Sequence, residues 1–349
     1  MSYITPIAKR KGLQLWGSPN EIFLVIAIAV LSLVIGFSNS VFFSIATPFD
    51  LLRSSLIEIL FALGLLIVLV SGGIDISFPI VGIFAGYTTV VVMLHYGLDT
   101  YSLWIPLVIA AVVGALLGSV NALLIAGFGL PTLIATLGTA SIFRGFLLSY
   151  VGSAYIANIP VGLDQFATAD LISVETATGT LARLHVLVIP TLILAIALAW
   201  MMRRTMFGRT IFAIGGSEES ARRMGMNVRW TKARIYILVG ALSGIAGIIY
   251  VSLQRVADPY ALAGTELGII AAVVLGGASI MGGYGTVTGT VLGVLLINLI
   301  KDNLILLGIP GSWQRAAIGL MLLIGVVSQA ISDNRRLKQA GTVTGEDKP

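Results

Sequence analysis

The feature that most constrains this chain is a series of long apolar runs separated by short polar connections. Roughly 17 to 25 apolar helical residues are needed to cross the hydrocarbon core of a bilayer, and ten candidate runs can be read from the sequence. They cover residues 21–37, 55–70, 79–94, 103–126, 132–150, 185–202, 235–253, 266–281, 286–300 and 315–331. The sequence therefore predicts an all-α integral membrane protein with about ten transmembrane helices.

Composition excludes a soluble globular domain. Only 11% of the 349 residues are charged and 57% are hydrophobic, with a mean hydropathy of +1.00, whereas soluble domains carry about 25% charged residues. The 40 glycines suit membrane helices that approach one another closely. The chain has no cysteine, which excludes disulfides, thiolate metal sites and cysteine nucleophiles.

The distribution of basic residues predicts the orientation. Lys and Arg are concentrated in the stretch 203–234, whereas 151–184 contains only Arg183. Because cytoplasmic loops are enriched in Lys and Arg, the first stretch is expected in the cytoplasm and the second in the periplasm. Basic residues also precede the first run and follow the last. A cytoplasmic N-terminal segment 1–20 and a cytoplasmic tail 332–349 are therefore expected to flank a transmembrane domain 21–331.

The first run could be a secretory signal, because basic residues precede it. It is long for a signal peptide and its cleavage site is weak, so an uncleaved first helix is favoured.

A faint internal repeat is also present. Leu117-Gly118, Asn121 and Gly129–Pro131 are echoed by Leu292-Gly293, Asn298 and Gly308–Pro310. The two sets would lie on opposite sides of the membrane, as in inverted-repeat transporters, although chance similarity of glycine-rich helices is an alternative.

Signatures of enzymes are absent from the sequence. No lysine directly follows a glycine, so there is no Walker A loop to bind ATP phosphates. His95 and His185 lie at predicted helix ends without a second ligand nearby, and both are interpreted as interfacial residues. The chain itself is expected to bind no metal or cofactor.

The segment Gly72–Ser77 interrupts the helices between two apolar runs. Its paired glycines and Pro79 are expected to break the helix, and the freed backbone groups then need partners. Asp75 places a carboxylate there, and ionisable groups at membrane depth usually face a cavity or the bundle interior. The segment is predicted to line or pack around a solute pathway. The alternative is a cytoplasmic turn in which Asp75 caps the next helix.

Two further segments attract attention. The glycine-rich stretch 275–285 favours either tight helix packing or an unwound segment. In the stretch 207–227, Ser217 followed by two glutamates predicts a capped helix of about two turns, which ends at Gly225. Such a rigid helix could press into a groove of a partner.

Arg144 and Glu266 are further charges within apolar runs that could form structural ion pairs.

Four motifs in this order resemble the permease of bacterial ABC importers for simple sugars, the branch that includes ribose, arabinose, xylose and autoinducer-2. The resemblance covers roughly residues 20–331. Its motifs are Gly72–Ser77, Pro131–Thr139, Phe207–Gly225 and Leu275–Gly285. One departure is that Phe78-Pro79 follows Ser77, where the family usually continues with Val-Gly; this puts the solute carried by close relatives in doubt.

The resemblance implies partners and site residues. A second permease subunit, identical or homologous, two cytoplasmic ATPase subunits that hold ATP and Mg²⁺, and a periplasmic solute-binding protein are expected, at the bacterial inner membrane. The translocation pathway would involve Gly72, Gly73, Asp75, Asn121, Pro131, Thr132, Thr136, Gly276, Gly277, Gly282 and Gly283. Coupling to the ATPase would involve Gly208, Arg209, Gly215, Glu218, Ala221 and Gly225.

The leading hypothesis is therefore an ATP-driven importer permease for a monosaccharide, polyol or related small polar solute, and the sequence does not reveal which one. The alternative is an ion-coupled secondary transporter that uses Asp75 or Glu266 as a proton or sodium site. A membrane-embedded enzyme is a third class, but it would need a catalytic cluster that the sequence does not show.

Overall fold

The computed structural model describes residues 19–98, 102–175, 181–304 and 308–327, which form a mostly helical bundle. Its helices are α1 (Pro19–Ser38), α2 (Ala46–Val70), α3 (Phe78–His95), α4 (Trp104–Ala122), α5 (Thr132–Phe146), α6 (Val161–Phe166), α7 (Val188–Arg204), α8 (Met206–Gly216), α9 (Glu218–Arg223), α10 (Val228–Gln254), α11 (Glu266–Leu275), α12 (Val287–Asn303) and α13 (Gly311–Val327). Short π-helical turns at Leu123–Gly127 and Leu147–Val151 extend α4 and α5, and a 3₁₀ turn lies at Ser40–Phe43.

Six of the described helices, α1 to α5 and α10, are long and apolar enough to cross a membrane. A seventh span is formed if α7 and α8, which are bent by 70° at Thr205, are counted as one. This confirms a multi-pass helical membrane protein. Each predicted run overlaps a helix, but α11 has only 10 residues, so length alone does not give ten crossings. The predicted segments 1–20 and 332–349 lie almost wholly outside the described residues.

Helices α2 and α10 form the centre of the bundle. Every residue of α2 from Ile59 to Val70 is buried, as expected for a helix that is apolar on all sides and surrounded by others. Helix α10 packs against α2, α3 and α4. By contrast, most side chains of α1 are exposed, so its apolar surface faces lipid or another protein.

Glycines allow α10 to approach its neighbours at backbone distance. A Cβ atom added at Gly240 would overlap the carbonyl oxygen of Gly114 on α4, and one added at Gly247 would overlap that of Gly82 on α3. Small residues are the usual means of close packing between membrane helices. The glycine content noted in the sequence therefore serves, in part, to join the central helices.

The long connection between α5 and α7 contains an unpredicted two-stranded antiparallel ribbon, β1 (Asp170–Glu175) and β2 (Leu181–His185). His185 lies in β2 and is fully buried, so the interpretation of an interfacial residue at a helix end was wrong for it. Its Nδ1 accepts a hydrogen bond from the Leu187 amide, and its Nε2 lies 3.1 Å from the Phe166 carbonyl oxygen. Burial lowers the pKa of His185, which favours the neutral ring with its proton on Nε2.

The ribbon and the α8–α9 segment mark opposite ends of the bundle. We call the end with residues 203–234 the basic end and the end with β1 and β2 the ribbon end. Helix α2 contacts β2 and also contacts α8, and its last residue, Val70, lies against Gly215 at the basic end.

The residues of the faint repeat adopt similar turns in the structure. After α4 the chain turns at Gly129 and restarts as α5 directly after Pro131, and after α12 it turns at Gly308 and restarts after Pro310. The two glycines have nearly equal left-handed φ angles, +73° and +74°. Helix α4 packs against α10, and α12 packs against α2. Each glycine turn thus follows a helix that packs against one of the two central helices.

Candidate functional site

The Gly72–Ser77 segment breaks the chain between α2 and α3 as predicted. Helix α2 ends at Val70, and Gly72 takes a left-handed φ of +83°. Asp75 is buried, and its Oδ1 accepts hydrogen bonds of 2.7 Å from both the amide and the hydroxyl of Ser77 at the start of α3. The carboxylate therefore organises the beginning of α3 from within the protein and not from a solvated turn.

Polar side chains from α4 and α5 hold this segment in place. The Ser77 hydroxyl accepts a 2.8 Å hydrogen bond from Asn121 Nδ2, and Asn121 Oδ1 accepts a 2.6 Å bond from the Thr139 hydroxyl. The hydroxyls of Thr132 and Thr136 accept hydrogen bonds from the amides of Ile74 and Ile76. The backbone groups freed by the helix break thus find partners inside the protein, as a membrane environment requires.

The glycine-rich stretch divides into two parts with different surroundings. A Cβ atom at Gly276 would lie 2.5 Å from the Gly289 carbonyl oxygen, so Gly276 joins α11 to α12 by close packing. Gly277 lies against the side chain of Asn20 on α1. Gly282 and Gly283 belong to an unwound loop with left-handed φ angles of +92° and +77°. Close packing thus accounts for Gly276, whereas Gly277, with a φ of +91°, shares the left-handed backbone of Gly282 and Gly283.

Helices α8 and α9 carry most of the predicted coupling residues, and we call them the coupling segment. They are set across the end of α7. Thr205 caps α8 by accepting a hydrogen bond from the Gly208 amide. The Ser217 hydroxyl accepts a 3.2 Å bond from the Ser220 amide and caps α9, and Gly225 follows the end of α9 with a left-handed φ of +79°. The predicted short capped helix and its end at Gly225 are therefore confirmed.

Three stretches of backbone meet at the basic end without intervening side chains. The Gly283 amide donates a 2.8 Å hydrogen bond to the carbonyl oxygen of Val70. A Cβ atom at Gly215 would overlap that same oxygen, and a Cβ atom at Gly282 would lie 2.8 Å from both the Gly215 carbonyl oxygen and the Gly72 Cα. We call this contact between the ends of α2 and α8 and the loop after α11 the glycine junction. It joins the coupling segment to the membrane bundle.

An ion pair also attaches α9 to α10. Lys232 Nζ lies 2.7 Å from Glu218 Oε2, and Arg222 contacts the other oxygen of the same carboxylate. The hydrogen bond from Lys232 holds the pKa of Glu218 below its usual value, so Glu218 is ionised at neutral pH. Among the residues that the structure describes, the neighbouring Glu219 pairs only with Arg223 on its own helix. Ala221 is buried against Ile214 and Val228 and completes this attachment.

A polar cavity of about 290 Å³ lies beside the glycine junction. It is lined by residues from both predicted sets, the pathway and the coupling residues, including Gly72, Gly73, Thr132, Gly215 and Glu218. The buried hydroxyl of Tyr236 lies next to Gly73 and has no hydrogen-bond partner in favourable geometry within the described residues. The structure thus brings three predicted pathway residues and two predicted coupling residues together at one cavity.

Other predicted residues lie apart from that cavity. Arg209 is exposed on α8, and Gly208 packs tightly against the backbone of Met201 and Met202 in the α7–α8 bend. Pro131 directly precedes α5. Ser77 and Thr139 lie within the motifs Gly72–Ser77 and Pro131–Thr139 but were not predicted as site residues, and Tyr236 carries no local signal. Lys232 was noted only as one of many basic residues that indicate topology.

Comparison with known proteins is consistent with this geometry. A family model described as "Branched-chain amino acid transport system / permease component" matches residues 47–326. The Autoinducer 2 import system permease protein LsrC of Salmonella typhi is 33% identical over 305 residues, which cover 87% of this chain and 83% of the relative. LsrC of Escherichia coli (strain K12 / DH10B) is 33% identical over 309 residues, covering 88% and 86%.

The bundle, its attached coupling segment and these matches define a class of protein. It is the membrane permease subunit of an ATP-driven importer and not an enzyme. More particularly, the chain belongs to the family of transport-system permease components whose model matches residues 47–326.

Proposed function

We propose that this permease translocates a simple sugar or a related small polar solute across the cytoplasmic membrane of a bacterium. The similarity to LsrC over most of both chains supports this solute class. The single observation that carries the mechanism is the glycine junction, because it connects the coupling segment directly to the broken helix around Asp75. The proposed coupling residues therefore act on the proposed pathway residues through contact.

The energy source is proposed to be a pair of ATPase subunits that hold ATP and Mg²⁺ and dock on α8 and α9. These helices present Arg222 and Arg223, whose side chains are more than two thirds exposed, together with the exposed Met206 and Met224. A surface that is held rigidly and presents both apolar and charged groups is suited to binding another protein. The basic end would accordingly face the cytoplasm, and a binding protein would deliver solute at the ribbon end.

A second permease subunit is proposed to cover the outer face of α5. Arg144 on this face is exposed and has no ion pair in the described part of the chain. The nearby Gly138 and Gly145 have open space around them. A charge facing lipid from a membrane helix is costly, so a protein partner or a watery pathway against α5 is favoured. Identical and homologous partners both satisfy this requirement.

The topology that completes this proposal has ten crossings in two inverted repeats, with both termini in the cytoplasm. The exchanged packing of α2 and α10 supports the repeat, because α4 contacts α10 as α12 contacts α2. The short α11 together with the unwound loop that follows it, and the 17-residue α12, would then traverse the membrane as part of the second repeat.

Reconstitution in proteoliposomes tests the function. The permease is assembled with its ATPase and binding protein, and uptake of radiolabelled D-ribose, D-xylose and L-arabinose is measured with ATP or with a proton or sodium gradient. We expect uptake of at least one sugar that requires ATP and both partner proteins. Uptake by the permease alone under an ion gradient would contradict the proposal and favour the ion-coupled alternative.

A further inference from the structure

A second and larger cavity, lined by both polar and apolar side chains, lies at the ribbon end of the bundle. It has a volume of about 520 Å³ and lies between the start of α2, the end of α10, the start of α11 and the end of α12. Its polar lining consists of Asp50, Arg53, Ser54, Glu58, Gln254, Thr265 and Lys301. Sites for small molecules have volumes of about 300 to 1,000 Å³, so the cavity is large enough for a small solute.

Charges of both signs surround this cavity. Lys301 Nζ lies 2.8 Å from Glu58 Oε1, and both side chains are only partly exposed. Arg53 also lines the cavity, and it forms no hydrogen bond or ion pair with any residue that the structure describes. Asp50 supplies the second carboxylate. A third carboxylate, that of Asp302, lies just behind the lining and accepts a 2.7 Å hydrogen bond from the Ser54 hydroxyl.

The cavity also has an apolar side. The ring of Phe61 and the ring of Tyr250 both contribute to its wall, together with Ile57 and Ile269. A mixture of aromatic surface with a few polar groups is typical of sites that hold small molecules. Aromatic rings suit the C–H faces of a sugar ring, while hydrogen-bonding groups suit its hydroxyls.

This cavity and the basic-end cavity occupy corresponding positions relative to the central helices. The basic-end cavity lies between the end of α2 and the start of α10. The ribbon-end cavity lies between the end of α10 and the start of α2. Exchanging the two central helices thus converts one position into the other. In inverted-repeat transporters the solute site lies at the interface between the repeats, and both cavities lie between these two helices.

We propose that the ribbon-end cavity is a binding site for an uncharged polyhydroxylated solute before it crosses the membrane. The carboxylates of Asp50 and Glu58 accept hydrogen bonds from hydroxyl groups, and Arg53 donates to them; hydrogen bonds of this kind to charged groups are the stronger ones. This assignment rests on the proposed function, which supplies the solute class.

Cysteine labelling tests the assignment, because the chain has no cysteine of its own. In the assembled importer, Gln254→Cys is reacted with a membrane-impermeant maleimide, with and without an excess of whichever probe sugar the importer takes up. Tyr260→Cys is the matched control, since Tyr260 is exposed nearby but does not line the cavity. We expect the sugar to slow labelling of Gln254→Cys at least about fivefold and to leave Tyr260→Cys unchanged. Equal rates with and without sugar, or equal slowing of both variants, would overturn the assignment.

A second variant separates solute binding from structure. Arg53→Gln is expected to raise the half-saturating sugar concentration for uptake by about tenfold or more, the effect of losing one charge-assisted hydrogen bond, while ATP hydrolysis and membrane insertion persist. Arg183→Gln, which breaks a partly exposed pair with Asp170 in the ribbon, should change uptake less than twofold. Normal uptake by both variants would overturn the proposed binding site but would leave the proposed function intact. Absence of uptake of every probe sugar by the unmodified importer contradicts the proposed function, and the assignment falls with it.

Discussion

The two ends of this permease are built in opposite ways. At the basic end, backbones of α2, α8 and the loop after α11 touch one another at Gly72, Gly215 and Gly282. At the ribbon end, charged side chains of α2 and α12 line a cavity of about 520 Å³, larger than the cavity of about 290 Å³ beside the glycine junction. Direct backbone contact thus distinguishes one end and a large cavity lined by side chains the other, although α2 reaches both.

This difference has a mechanical consequence. Backbone atoms in direct contact have no side-chain torsions that could absorb a displacement, and packed interiors transmit strain. A movement of α8 and α9 at the basic end therefore reaches α2 and the Gly72–Ser77 segment. A cavity lined by side chains can change shape when the central helices move. The contrast suggests that force enters at the basic end and that solute is received at the ribbon end.

The largest effect is expected from a matched pair of glycine substitutions, one at each end. Gly282 and Gly264 have similar left-handed φ angles, +92° and +85°, so alanine imposes similar backbone strain of about 1–2 kcal/mol at either site. A Cβ atom added at Gly282 would lie 2.8 Å from backbone atoms of Gly215 and Gly72, whereas a Cβ atom added at Gly264 would meet nothing within 4 Å. Gly282→Ala should therefore lower the free energy of unfolding by a further 1–3 kcal/mol, roughly the cost of overpacking. The variant should also lose most of its uptake.

Thermal unfolding in detergent and uptake by the assembled importer measure this difference. If Gly264→Ala and Gly282→Ala lower the melting temperature and uptake equally, the glycine junction has no special role and the contrast between the two ends is lost.

A smaller effect is expected in the polar network behind the broken helix. Asn121→Leu removes hydrogen bonds to Ser77 and Thr139, and it leaves buried hydroxyl groups without these partners. The loss should destabilise the protein by about 1–3 kcal/mol and reduce uptake. Ser119→Ala on the same helix is the control, because its exposed hydroxyl bonds only to the Leu116 carbonyl. Equal melting temperatures for the two variants would show that the network does not hold the segment.

The smallest effect is expected from the ion pair that links α9 to α10. Glu218→Gln weakens the bond to Lys232, whereas Glu219→Gln breaks a pair confined to α9. Each ion pair contributes only about 1 kcal/mol or less to stability because both carboxylates are substantially exposed. We expect Glu218→Gln to lower uptake a few-fold per ATP hydrolysed and Glu219→Gln to lower it less than twofold. The ratio of uptake to phosphate release measures this, and equal ratios would remove the link from the mechanism.

Much of the fold could be predicted from the sequence because membrane crossing imposes a strong local pattern. Apolar runs located the helices, and Ser217 with Gly225 delimited α9 correctly. The limits of α10 were less accurate. The run at 235–253 omitted the first seven residues of α10, Val228–Arg234, because basic side chains interrupt the apolar pattern where the helix emerges. The ribbon was missed since its strands are short and lie between polar residues.

The site was predictable as a set of motifs but not as an arrangement. Gly215, Gly282 and Gly72 are far apart in sequence, and no local pattern states that their backbones touch. Tyr236 resembles any other aromatic residue of an apolar helix. The ribbon-end cavity depends on Arg53 and Lys301, which come together only because α2 packs against α12. Tertiary packing supplied what local pattern could not.

The most direct test of the account compares Gly215→Val with Gly216→Val in the assembled importer. A side chain at Gly215 would overlap the Val70 carbonyl oxygen, whereas nothing lies within 4 Å of a Cβ at Gly216. Uptake and ATP hydrolysis are measured in the same proteoliposomes, after gel filtration confirms that both variants insert and assemble, with Gly215→Ala as the milder substitution. The account predicts that Gly215→Val hydrolyses ATP but takes up no solute, while Gly216→Val retains at least about half of normal uptake. Undiminished uptake by an inserted Gly215→Val permease would contradict it.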